Sequence, residues 1–210
     1  MPLPRRRTRV ALLAAALTLL TAPVATAGSA HAGTWSHEDA RGDVVRIGIA
    51  DDKPTGEVDP DEATTDITKF TVKHAPRKVV ITLKIRDLRS GDSALIGRIV
   101  TPRTAYDVSV FRTSDMRIFS LSEGRRATDV PCRGKKQSFD TKRDRVTLTF
   151  PRVCLGNPKW VRAGAGFLRG NLLSGDETTT VTLDEALRTG SEEAAASDAP
   201  LKVGKKVRVG

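Results

Sequence analysis

The sequence predicts an all-β protein, an antiparallel β-sandwich or jelly roll of about nine strands. Three observations carry this. Apolar and polar residues alternate with a period of two through most of the chain. Gly, Pro and Asp punctuate those runs at intervals of about 8–15 residues. No segment beyond residue 32 repeats apolar residues at the i, i+3, i+4 spacing of a helix of any length.

The first 32 residues belong to a different class. Arg5, Arg6, Arg7 and Arg9 precede an apolar run, Val10 to Leu20. Two small-x-small sites follow, Ala25-Thr26-Ala27 and Ala30-His31-Ala32. This is the order of a secretory signal, with cleavage after Ala32 or after Ala27. The apolar run is too short for the roughly 20 residues of a membrane span, so no transmembrane anchor is expected. The sandwich is expected over 33–188, and 189–210 reads as a loose charged tail.

The first run of the sandwich is Val45, Ile47 and Ile49 alternating with Arg46 and Gly48. Asp51 to Thr65, with two prolines and many acids, reads as a loop. Asp66 to His74 and Lys78 to Arg86 form a hairpin around Ala75-Pro76-Arg77. In its second arm Val79, Ile81, Leu83 and Ile85 share one face, while Val80, Thr82, Lys84 and Arg86 share a wet one. Leu95 to Thr101, Tyr106 to Arg112 and Arg117 to Leu121 are three further strands. Lys135 to Phe139 and Arg145 to Phe150 make a second hairpin, with Val146, Leu148 and Phe150 inward. Trp160 to Leu168 and Thr178 to Leu183 follow. Asp184 to Arg188 suits a single helical turn, and Leu201 to Val209 an edge strand.

Two cysteines, Cys132 and Cys154, are expected to pair in an exported chain. With no histidine nearby they lack the ligand count of a zinc site.

The net charge of +10 is unevenly spread. Residues 36–66 carry ten acids and three bases, so an acidic N-terminal arc meets a basic body. Ca²⁺ takes six to eight oxygens, often from loop carboxylates. Asp39, Asp43, Asp59, Asp61 and Asp66 are the candidate ligands, although the spacing is not that of an EF-hand. On the basic body, Lys69, Lys73, Lys84, Arg86 and Arg89 are candidates for binding a polyanion such as an anionic cell-wall polymer or polysaccharide. Specific nucleic-acid recognition is not expected, because interleaved aromatics are missing.

Catalytic signatures are thin. Gly91-Asp92-Ser93-Ala94 resembles the opening of the GDSL-type serine hydrolases, but Ala94 replaces the expected leucine and no histidine follows His74. That block is read as a strand-connecting turn. His74 sits at a hairpin corner, and His37 reads as a loop histidine in the acidic arc. Arg41-Gly42-Asp43 spells an integrin-recognition tripeptide, yet it is also good turn chemistry. Trp35 and Trp160 suit either sugar stacking or packing, and packing is favoured for Trp160.

The Asp39–Val44 start resembles exported β-sandwich proteins of high-GC Gram-positive bacteria. So do the Asp66-Ile67-Thr68 strand, the basic hairpin and the Pro151–Trp160 block. The resemblance covers most of residues 35–170 and implies export and fold, but no activity. The layout is also distantly similar to DOMON and carbohydrate-module sandwiches, an analogy of fold alone. The expected role is that of an extracellular, non-enzymatic binding or wall-associated domain stabilised by Ca²⁺. The alternatives are a hydrolase with a carboxylate site and a structural envelope protein without a ligand.

Overall fold

A computed structural model describes residues 32–50, 53–124, 128–170, 180–190 and 200–210. Residues 1–31 of the expected signal lie outside them, as does the start of the strand expected from Thr178.

Two antiparallel sheets face each other, with five and nine strands. The smaller joins β1 (Gly33–Glu38), β4 (Ile67–His74), β5 (Lys78–Ile85), β11 (Arg145–Pro151) and β10 (Lys136–Asp140) in the order β1-β4-β5-β11-β10. The larger runs β3-β2-β13-β12-β6-β7-β8-β9. Its strands are β2 (Val45–Ala50), β3 (Lys53–Val58), β6 (Ser93–Val100), β7 (Ala105–Arg112), β8 (Arg117–Glu123), β9 (Thr128–Asp129), β12 (Trp160–Gly170) and β13 (Val181–Glu185). A short β14 (Val207–Arg208) also pairs with β12.

The alternation along β5 decides what faces inward. Val79, Ile81, Leu83 and Ile85 are fully buried, and their neighbours point to solvent. Phe70 and Val72 from β4 and Val146, Leu148 and Phe150 from β11 complete that inner surface. Leu95, Ile99, Val108, Val110, Val161 and Phe167 meet it from the other sheet. Burying one such side chain contributes about 1.5–3 kcal/mol, so this layer is the main source of stability.

Three segments differ from the reading of the sequence. Lys53–Val58 is a strand, not loop, at the edge of the larger sheet, where Pro54 costs no ladder hydrogen bond. Gly33–Glu38 adds a strand that brings His37 out of the expected loop. Residues 200–210 are seated rather than loose, and the edge strand expected over Leu201 to Val209 is present as Val207–Arg208. Gly204 N–H donates to the Ala163 carbonyl and Val209 N–H to that of Lys159. Val207 is buried in the core. The fit needs Gly164, where a Cβ would stand 1.8 Å from the Lys202 carbonyl oxygen.

Cys132 and Cys154 form a disulfide with Cα atoms 5.3 Å apart. It joins the segment before β10 to the 3₁₀ turn after β11. No helix among the described residues is long and apolar enough to cross a membrane.

Candidate metal centre

At one end of the sandwich four aspartates gather between the sheets. Asp39 leaves β1, Asp43 precedes β2, Asp66 precedes β4, and Asp184 lies on β13. Local sequence explains the first pair. Asp39-Ala40-Arg41-Gly42-Asp43 is a tight turn in which Gly42 takes φ 72°, a left-handed conformation that costs glycine nothing. The turn folds the chain back so that Asp39 and Asp43 repel one another electrostatically. The Gly42 N–H donates to Asp66 Oδ2 at 2.8 Å and so draws in the third acid.

One carboxylate oxygen from each of Asp43, Asp66 and Asp184 lies within 4.8 Å of those of the other two, and all three side chains are buried. Both oxygens of Asp43 and Oδ1 of Asp66 are shielded from solvent and accept no hydrogen bond. Oδ2 of Asp39 is in the same state. A buried carboxylate without a partner costs several kcal/mol, and a cluster of them costs more. Among the described residues, Arg86 Nε lies 3.3 Å from Asp66 Oδ2, and His37 Nε2 lies 3.9 Å from Asp39 Oδ1.

The carboxyl groups carry the mark of this crowding. Burial, and then the charge of Asp43, push the Asp39 carboxyl up to about 8. Burial also raises that of Asp43, with the charge of Asp66 adding to it. The backbone amides of Asp43 and Gly190 lie near enough to offset part of that rise, without reaching hydrogen-bond geometry.

The donor set is all oxygen, which selects hard cations over zinc or copper. Opposite ligands of one Ca²⁺ stand about 5 Å apart, given Ca–O distances of about 2.3–2.6 Å. The trio fits within that span. Asp43, Asp66 and Asp184 are therefore the residues able to hold a divalent ion, with Asp39 close enough to feel the charges of Asp43 and Asp66.

Of the five acids expected as ligands, Asp39, Asp43 and Asp66 converge. Asp59 instead forms an ion pair with Arg46, and Asp61 is exposed at the turn beside it. Glu62 also serves that loop, accepting hydrogen bonds from Thr64 and Thr65. Asp184 escaped the sequence reading because an acid just past an apolar strand looks like the start of a helical turn. Its Oδ2 accepts the Ile67 amide of the opposite sheet.

The other candidates are placed as follows. Lys69, Lys73 and Lys84 stand on the outer face of the five-stranded sheet. Arg86 turns away to the Asp66 carboxylate and the carbonyls of Pro60 and Glu62. Arg89 chelates Asp87. Ser93 is buried where β6 begins, and Asp43 of the Arg-Gly-Asp tripeptide points inward. His37 stacks on Trp35 with centroids 6.2 Å apart. The Trp35 ring is wedged against Gly204 and meets Phe70 edge-on. The Lys206 ammonium sits 4.6 Å over the ring of Trp160.

No family model, curated protein or solved structure matches the chain.

Proposed function

We propose that this chain is an exported, non-enzymatic binding domain whose two sheets are clamped by Ca²⁺ and whose basic surface engages an anionic polymer of the cell envelope. One observation carries the cation. The Asp43 carboxylate is buried with neither oxygen hydrogen-bonded, beside Asp66 and Asp184. A divalent ion removes that cost and ties the β1–β2 turn and the start of β4 to β13. Export is supported by the n-region, apolar run and small-x-small order of the leader, and by a disulfide of the kind that persists in oxidising compartments. A non-catalytic role is supported by burial of the carboxylates away from bulk solvent and by the engagement of His37 and His74 in packing.

Thermal melting with and without Ca²⁺ tests the reading. An ion that binds only the folded chain contributes about 2.7 kcal/mol at a hundredfold excess over its dissociation constant. For a domain of this size that corresponds to a rise of roughly 5–10 °C. Mg²⁺ should raise it less, since it dehydrates reluctantly and demands a stricter octahedron. Asp43→Asn with Asp66→Asn should abolish the rise. A melting temperature indifferent to Ca²⁺ and to chelator would end the proposal.

A further inference from the structure

The outer face of the five-stranded sheet carries an ordered array that the basic surface alone does not explain. Strand register aligns Ser36, Thr71, Thr82, Thr147 and Ser138 across all five strands. Each of these positions points away from the core, because the residues beside it in sequence pack inward. Four inter-strand steps of about 4.8 Å make the hydroxyl row roughly 19 Å long. At its β1 end Ser36 Oγ and Thr71 Oγ1 lie 3.1 Å apart.

Cations flank this row on both sides, two residues or about 7 Å along the strands. Lys69, Lys84 and Arg145 stand on one side, Lys73 and Lys136 on the other. Lys69 pairs with Glu38, and Lys84 with Asp144. Lys73, Lys136 and Arg145 make no ion pair among the described residues. A shallow cavity of about 450 Å³ opens on the row itself, lined by Lys69, Thr71, Thr82, Lys84 and Arg145.

We infer that this face binds an anionic polysaccharide laid across the strands, with its hydroxyls on the Ser/Thr row and its charged groups on the flanking lysines and Arg145. The inference deepens the reading of a binding domain by naming its ligand and surface, and it does not depend on the cation. Two features select this occupant. A row of hydroxyls both donates and accepts, so a polyhydroxylated chain uses both capacities, whereas one that only accepts uses the O–H donors alone. The cavity wall is without aromatics, so neither stacked bases nor the apolar face of a neutral sugar has a platform there.

The experiment measures binding of the folded protein to dextran sulfate, neutral dextran, inorganic polyphosphate and single-stranded DNA, each in Ca²⁺ and in chelator. Dextran sulfate should bind most tightly. The triple variant Thr71→Val, Thr82→Val, Thr147→Val keeps strand propensity and charge. It should weaken dextran sulfate binding about tenfold or more, as three lost hydrogen bonds imply. Polyphosphate binding should weaken less, because it uses only the donor capacity of those hydroxyls. Serine at the same three positions should restore the affinity, which separates lost hydroxyls from a damaged fold. Lys73→Glu with Lys136→Glu should weaken binding to every polyanion and flatten its salt dependence. Equal affinity for polyphosphate or DNA, or a valine variant that binds dextran sulfate undiminished, would overturn the inference. The Ca²⁺ shift in melting is read on the same samples, so failure here is distinct from failure of the metal centre.

Discussion

The Asp184 carboxylate, rooted in β13, accepts a 2.5 Å hydrogen bond from the Ile67 amide at the start of β4 in the opposite sheet. The link is cross-sheet and fully buried, and the hydroxyls of Thr65 and Thr182 meet beside it at 2.6 Å. Asp184→Ala leaves the Ile67 amide buried with no acceptor. It should lower stability by about 1–3 kcal/mol even in chelator. Asp184→Asn keeps a carbonyl oxygen in place and should cost less there, while losing the response to Ca²⁺. Urea titrations of both variants, in chelator and in Ca²⁺, separate the hydrogen bond from the charge. Equal midpoints for the two variants in chelator would show that the bond contributes nothing.

The raised carboxyl of Asp39 predicts an inverted pH dependence. Its folded value of about 8 lies above the ordinary 3.8, so the native chain holds a proton that the unfolded chain has released. Stability in metal-free buffer should therefore fall as pH rises from about 4 to about 8. The raised Asp43 adds to the same slope. Bound Ca²⁺ neutralises the ionised form and should flatten it. Asp39→Asn should flatten it in part without any metal. A metal-free melting temperature that rises across this window would contradict the burial of these acids.

How far the site was legible follows from where its residues sit in the chain. The β4–β5 hairpin was readable because Val79 to Ile85 alternates without interruption, and the structure buries that set. Asp39 and Asp43 were readable as neighbours because Gly42 dictates a turn. Asp184 was not, since it lies 117 residues from Ile67 and meets it only through the order of strands in two sheets. Asp59 looked equivalent to Asp66 in sequence, but Arg46 on the adjacent strand claims it. The hydroxyl row was equally hidden. Ser36, Thr71, Thr82, Thr147 and Ser138 show no shared spacing in sequence, and only strand register puts them in line.

His74 should give the opposite pH slope. Its ring is buried, with Nδ1 3.0 Å from the Val207 carbonyl oxygen. Burial, assisted by the charge of Arg152, holds its pKa below the usual 6.5. The neutral ring donates its Nδ1 proton to Val207. As pH falls through 6.5 the unfolded chain takes up a proton that the folded chain refuses, so stability is lost on the acid side. In saturating Ca²⁺, which removes the contribution of Asp39, His74→Leu should abolish that loss below pH 6.5. An unchanged acid slope in the variant would assign it to another group.

The seated C-terminal segment predicts a contrast between two glycines. At Gly164 an added Cβ would stand 1.8 Å from the Lys202 backbone oxygen, so Gly164→Ala must push residues 200–204 off β12. Overpacking of this kind costs about 1–3 kcal/mol. Gly124 has φ 68° but nothing within 4 Å of the added atom. Gly124→Ala should therefore cost only the strain of the left-handed conformation, about 1 kcal/mol. Amide exchange at Gly204 and Val209, which bond to β12 and to the residue before it, should quicken in Gly164→Ala alone. If exchange there is unchanged, the segment does not depend on that close approach.

The disulfide gives a final prediction, because it acts on a different part of the fold from the aspartates. Cys132 is buried in the core, and Cys154 lies in the turn that follows β11. Together they bracket the β10–β11 hairpin, whose outer strand β10 forms an edge of the five-stranded sheet. With the cysteines 22 positions apart in sequence, removing the link should cost about 3 kcal/mol through the freer unfolded chain. The melting temperature of the Cys132→Ala, Cys154→Ala variant should then drop by roughly 6–12 °C. Its rise in Ca²⁺ should match that of the parent, since separate sites contribute additively. A Ca²⁺ shift that vanishes with the cysteines would mean that the ion and the disulfide stabilise one cooperative element rather than two ends of the sandwich.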